Sequence, residues 1–206
     1  MLTSLFDSRH ERLLKAIDNN DLDKVAGLLA KIEAALLITP GKDGRHALEQ
    51  ALQAEEPRIL ELLLQKAPRP LPTGRCGTPL ACLALQQANS LPHLTLLLQA
   101  GEDPNLEHQG QPLLHLCIET CEPSRLMLHL SRLLQHGAEI NRPDADGHTL
   151  MQRLLPHGDQ ALLQFLLQSG AECEEAWLEE VNNAELVTQL KRVLDDLRIR
   201  KLMLGG

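Results

Sequence analysis

Five cysteines and nine histidines carry most of the reactive chemistry in this chain. Cys117 and Cys121 lie four residues apart, so a helix holding both presents them on one face. With Cys76, Cys82 and His115 they form a set of soft and borderline donors that zinc would accept. The same thiols could instead act as nucleophiles, if a histidine drew off the proton and a third group oriented that histidine. The spacing dictates neither arrangement. There is no Cys-x-x-Cys pair, and nothing assigns one histidine to one thiol. All five cysteines lie within or beside apolar helical stretches, where a thiol behaves as a small hydrophobe. Their odd number fits reduced thiols in a cytoplasmic protein better than a disulfide framework. Serine hydrolase, phosphate-loop and dinucleotide motifs are absent from the sequence. The expectation is therefore a protein with core cysteines and no catalytic residues, cofactor or metal. A cysteine- or zinc-dependent enzyme on a helical scaffold is the alternative.

The composition says what kind of scaffold holds these residues. The 206 residues are 43% hydrophobic but only 1% aromatic, so leucine and alanine must fill the core. That favours helix packed on helix over a sheet, which draws on Val, Ile, Tyr and Phe. Charged residues make up 23% and are scattered between apolar stretches, as in a folded chain. A net charge of −8 repels nucleic-acid backbones and anionic lipid. Phe6, Phe165 and Trp177 are the whole aromatic set, too few to stack bases. Met1 to Lys15 carries Asp7, Arg9, Glu11 and Arg12, so no apolar leader follows the start, and no later run is long enough to span a membrane.

A repeat organises the helices. Leu97-Leu98-Gln99-Ala100-Gly101, Leu133-Leu134-Gln135-His136-Gly137 and Leu166-Leu167-Gln168-Ser169-Gly170 have the same form, with glycines 36 and 33 residues apart. Each reads as a helix that buries its leucines and stops at a left-handed glycine. A polar turn follows, and about ten residues on a new helix begins, most clearly at Thr78-Pro79-Leu80, where Thr can cap and Pro suits the first helical position. His46-Ala47-Leu48, Pro112-Leu113-Leu114 and Thr149-Leu150-Met151 fill the same place.

Turn, short helix, longer helix and Leu-Leu-x-x-Gly-Ala, at roughly 33 residues per unit, resembles the ankyrin repeat. The best copy runs from Asp146-Gly147-His148-Thr149 to Gly170-Ala171. The copies are degenerate. No unit has the full Thr-Pro-Leu-His tetrapeptide, and Ala67 stands where a closing glycine belongs. The resemblance implies an all-α solenoid of stacked helix-turn-helix units with helical caps, forming one domain over 1–206. Its parts are an N-terminal capping unit at 10–40, repeats at 41–73, 74–107, 108–143 and 144–174, and C-terminal capping helices at 175–206. In that register Cys117 takes the place of a small packed Ala and Cys121 that of a glycine. Over Glu185 to Met203, Leu186, Val187, Leu190, Val193, Leu194 and Leu197 form one apolar stripe, and Trp177 anchors the junction before it.

The resemblance also implies a use, the holding of a partner protein on a concave face and on the turn tips. The expected partner-binding residues are Lys42, Asp43, Arg45, Gln53, Arg75, Gln86, His108, Gln109, Gln111, Glu119, Asp146, His148 and His157. Gly74, Gly77, Ala145, Ala54, Leu85, Thr120 and Pro156 complete the same rows. The acidic surface suits a basic partner, which favours an inhibitor or immunity protein, with a chaperone also open. The free chain is expected to be monomeric, with a self-associating structural spacer as the remaining alternative.

Overall fold

The computed structural model describes residues 2–204, with side chains from Arg9 onward, so Phe6 lies outside the described side chains. Its described residues are mostly helical, as an aromatic-poor, leucine-rich chain requires. Strand is confined to two-residue segments at Glu107–His108 and Gln111–Pro112. The chain divides into two compact units, one ending at His108 and the other starting at Gln109.

The first unit contains α1 (Leu2–Asp18), α2 (Leu22–Leu29), α3 (Ala47–Ala51), α4 (Pro57–Lys66), α5 (Leu80–Leu85) and α6 (Ser90–Gln99). Short 3-10 turns lie at Ala34–Ile38 and Arg75–Gly77. Leu13 and Ile17 of α1, Leu48 of α3, Leu60 and Leu63 of α4, Leu80 of α5 and Leu94 and Leu97 of α6 are fully buried. Successive pairs are tied where each helix hands over to its partner. Glu55 donates its N–H to Asn20 Oδ1 at 2.9 Å, and its carbonyl accepts from Asn89 Nδ2 at 2.9 Å. One backbone residue thus links three neighbouring turns.

The second unit contains α7 (Leu113–Thr120), α8 (Pro123–Gln135), α9 (Leu150–Leu154, continued as a 3-10 turn to His157), α10 (Gln160–Gln168), α11 (Glu175–Glu179) and α12 (Ala184–Met203). Leu130, Leu133, Leu163 and Leu166 are fully buried, whereas Leu134 is only half-buried, contrary to its expected place in the core. On α12, Leu186 and Leu190 are buried while Val187, Val193, Leu194 and Leu197 are partly exposed. The expected stripe therefore packs tightly only over its first two turns.

The three predicted helix stops share one geometry. Gly101, Gly137 and Gly170 have φ of +91°, +92° and +97°. The N–H after each glycine returns to the carbonyl five residues back: Glu102 to Leu97 at 3.0 Å, Ala138 to Leu133 at 3.0 Å, and Ala171 to Leu166 at 2.9 Å. This is the six-to-one bond of a glycine-closed helix. Ala67 instead leaves α4 in an extended conformation, since an alanine there would meet its own Cβ in the left-handed region.

The helix starts vary. Thr149 caps α9 through a reciprocal box with Gln152, and His46 caps α3 by accepting the Glu49 N–H on Nδ1 at 3.2 Å. The expected Thr78 cap does not form. α5 begins one residue later, with Pro79 as its N-cap and no side-chain cap.

Candidate functional site

Lys42, Asp43, Arg45, Arg75, Asp146 and His148 are carried on a turn that recurs with the same hydrogen bonds. In 41–45, Gly41 N–H donates to the Arg45 carbonyl at 2.7 Å, and Gly44 N–H returns to Gly41 at 3.0 Å. In 74–78 the equivalent bonds are Gly74 to Thr78 at 2.8 Å and Gly77 to Gly74 at 3.2 Å. In 144–148 they are Asp144 to His148 at 2.9 Å and Gly147 to Asp144 at 3.0 Å. The fourth residue of each turn must take positive φ, and Gly44, Gly77 and Gly147 do so at +80°, +73° and +83°. Gly110 joins them at +78°, with Gln109 before it at +54°.

Ion pairs within the chain stiffen these tips. Lys42 reaches Glu11 at 2.6 Å, and Asp43 accepts both the N–H and the Nε–H of Arg45. Those bonds, the backbone one first, hold the Asp43 carboxyl below its usual range. Arg45 also donates to Gln53. Arg75 places its N–H on the buried Glu49 carboxylate at 3.0 Å and its Nε at 3.4 Å. In the second unit Asp144 is buried and accepts the N–H groups of Asp146 and His148. Arg153 bridges Asp144 at 2.6 Å and Asp146 at 2.5 Å. Burial pushes the Asp144 carboxyl up, but Arg153 and the two N–H donors outweigh it, and the net shift is down.

Asp144, Asp146 and His148 bring their donor atoms within 4.8 Å of one another, as metal ligands do. Arg153 already supplies the positive charge there, so the cluster is satisfied without a cation.

Two cavities open beside the tips. The first unit has one of about 200 Å3, lined by Lys42, Asp43, Lys15, Asp18 and Gln50 among others. Gln50 is buried, its Nε2 is bonded to Asp18, and its Oε1 has no hydrogen-bond partner. The second unit has a larger cavity, about 590 Å3, between the 148–156 region and the capping helices, with His148, Gln152, Pro156, Trp177 and Asn182 in its wall. Trp177 is half-buried there, in the wall between the 148–156 region and the capping helices.

Most expected contact residues are accessible. Lys42, Asp43, Gln53, Arg75, Gln86, Gln109, Glu119, Asp146, His148 and His157 are exposed, and Arg45, His108 and Gln111 are partly so. Gly77, Thr120, Ala145 and Pro156 are also exposed. Three neighbours are corrected: Ala54, Leu85 and Gly74 are buried. Ala54 and Leu85 turn into the helical layer, and a Cβ on Gly74 would meet Leu83 at 2.5 Å.

The cysteines divide as well. Cys82 and Cys117 are core residues as expected, but Cys76 is exposed at φ +59° in a turn, and Cys121 and Cys173 are partly exposed. The expected core role therefore fails for these three. The zinc set suggested by residue type does not assemble. His115 instead places Nε2 on the Arg142 carbonyl at 3.1 Å, and the histidine that meets Cys121 is His129, eight residues on and across a helix turn.

No protein-family model matches the chain, and a search of curated proteins finds no match either.

Proposed function

We propose that the chain is an ankyrin-like, non-catalytic binding module that holds a partner protein on its turn tips and first-helix ends. The observation that carries this reading is the same hydrogen-bonded turn at 41–45, 74–78 and 144–148, rebuilt each time from different side chains. A rigid backbone with freely varied tips is what recognition needs, because pre-ordered loops lose little entropy on binding. The spacing of those turns and of the glycine-closed helices supports the family resemblance on which the reading rests.

The tips divide by what they have to offer. Arg45, Arg75 and Asp146 are committed to ion pairs within the chain. Gln86, Glu119, His148 and His157 are exposed and make no side-chain hydrogen bond or ion pair among the described residues. These four are the natural contacts, since engaging them breaks nothing already formed. The net charge of −8 favours a basic partner and so an inhibitor or immunity protein. No described helix is long and apolar enough to cross a membrane, which is compatible with a partner met off the bilayer.

Affinity capture with wild type and with a Gln86→Ala, Glu119→Ala, His148→Ala, His157→Ala variant tests the reading. Loss of the captured partner from a variant of unchanged melting temperature supports it, and equal capture by both counts against it.

A further inference from the structure

The end of α7 sets the core thiol of Cys117 beside a second thiol, Cys121, that serves neither the turn tips nor the core, with the buried imidazole of His129 on the next helix. Cys117 is fully buried within the helix. Cys121 stands one turn later at the helix end, its N–H on the Cys117 carbonyl at 3.0 Å, its backbone already extended and its side chain partly exposed. Thr120 Oγ1 lies 3.9 Å from the Cys121 sulfur, and the Cys117 thiol and His129 of α8 are the neighbouring side chains that act on its ionisation. His129 is fully buried and donates Nδ1–H to the Arg125 carbonyl at 2.9 Å, so Nε2 is the nitrogen left for the sulfur. A thiol, a base beside it and a group that orients the base are the parts of an activated nucleophile.

The electrostatics agree with that geometry. The Cys117 hydrogen bond is the largest influence on Cys121; burial opposes it, His129 reinforces it, and the thiol is brought down to about 5. Burial lowers His129, but its bonds with Cys121 and the Arg125 carbonyl outweigh that and raise it. The nearby Arg125 charge lowers His129 and is outweighed. By contrast, burial and then the Glu102 charge push the Cys82 thiol up to about 12. Among the described residues the one convergent metal-ligand group is Asp144, Asp146 and His148, so this trio is not a preformed metal site.

We propose that Cys121 and Cys117 form a peroxide-reactive dithiol, with Cys121 the attacking sulfur and Cys117 the resolving one. The Cys121 thiolate attacks one oxygen of a hydroperoxide. The S–O bond forms, the O–O bond breaks, and the departing oxygen takes a proton from His129 to leave as water or alcohol. The Cys117 sulfur then attacks the sulfenic sulfur of Cys121 as its thiol proton passes to the departing hydroxyl. The S–S bond forms, and the hydroxyl leaves as water with that proton. Residues four apart on a helix have Cα atoms about 6 Å apart, within the range a disulfide bridges. An external dithiol restores the reduced pair by exchange. Cys117 is fully buried and Cys121 partly exposed, so peroxide meets Cys121 first.

The test uses the full chain, with exposed Cys76 as an internal standard. At pH 6, iodoacetamide should label Cys121 about tenfold faster than Cys76, because a larger thiolate fraction outweighs its lower intrinsic nucleophilicity. Equimolar hydrogen peroxide should convert Cys117 and Cys121 to a disulfide seen by peptide mass mapping and reversed by dithiothreitol. Cys117→Ser should instead hold Cys121 as a sulfenic acid that dimedone traps, and Cys121→Ser should leave Cys117 unmodified. Labelling of Cys121 no faster than Cys76 in folded wild-type protein would overturn the proposal. So would peroxide oxidation at Cys76 with Cys117 and Cys121 left as thiols.

Discussion

The Glu49 carboxylate on α3 accepts the backbone N–H of Arg75 at 3.0 Å, so the first helix of one pair holds the turn tip of the next across 26 residues of chain. Its side chain is buried, and Gly74 packs against it so closely that a Cβ there would lie 3.2 Å from the carboxylate. Glu49→Ala leaves that N–H unpaired in a crowded place and is expected to cost about 1–3 kcal/mol. Urea denaturation measures it, and a loss under about 0.5 kcal/mol would mean the tip is held by other contacts.

His93 of α6 is fully buried, and neither ring nitrogen has a protein partner. Burial alone pushes it down to about 4, against roughly 6.5 in an unfolded chain. Between those values the unfolded state binds the extra proton. Stability from this site is thus full above about pH 6.5 and falls as pH drops towards 4, by at most about 1.4 kcal/mol per pH unit. His93→Leu should flatten that slope in urea titrations at pH 7 and pH 5. An unchanged slope would show that other groups govern the acid response.

Leu97 and Leu166 are fully buried at the end of their helices, so Leu→Ala at either is expected to cost about 2–5 kcal/mol through the cavity left behind. Gln86→Ala and His157→Ala, on exposed side chains, should stay within about 0.5 kcal/mol. Thermal and urea melts of the four variants make the comparison. Comparable losses in both pairs would erase the distinction between core and displayed residues.

Arg153 already neutralises Asp144 and Asp146, so the melting temperature should not respond to a chelator or to added calcium or zinc. A rise with either ion would show that the guanidinium yields its place. Arg153→Gln removes the guanidinium from the buried Asp144, leaving its two backbone donors and His115 Nδ1 at 3.7 Å, and should destabilise the 144–148 turn by about 1–3 kcal/mol.

What could be read from the sequence was what a single residue type dictates. Gly101, Gly137 and Gly170 announce the helix ends because a left-handed stop demands glycine, and the leucines before them announce the buried face. The reading failed where neighbours decide. Thr78 has the chemistry of a cap, yet α5 starts at Leu80 after an uncapped Pro79. The repeat register puts Ala54 and Leu85 at the exposed ends of the inner helices, but both turn inward. The pairing of Cys121 with His129 depends on how α7 folds back on α8, whereas His115, which belongs to the zinc set that residue type suggests, lies against the Arg142 carbonyl. Spacing within one helix predicts a shared face, as it did for Cys117 and Cys121, but not a contact across two helices.

The central claim is that partner recognition sits on the turn tips and first-helix ends. The most direct measurement is the dissociation constant of the captured partner for wild type, for His148→Ala and Glu119→Ala on the display row, and for Glu61→Ala and Gln164→Ala on second helices. The account predicts that at least one display-row change weakens binding by about 2 kcal/mol or more while the second-helix changes leave it intact. Wild-type affinity in both display-row variants, with binding lost in Glu61→Ala or Gln164→Ala, would contradict it.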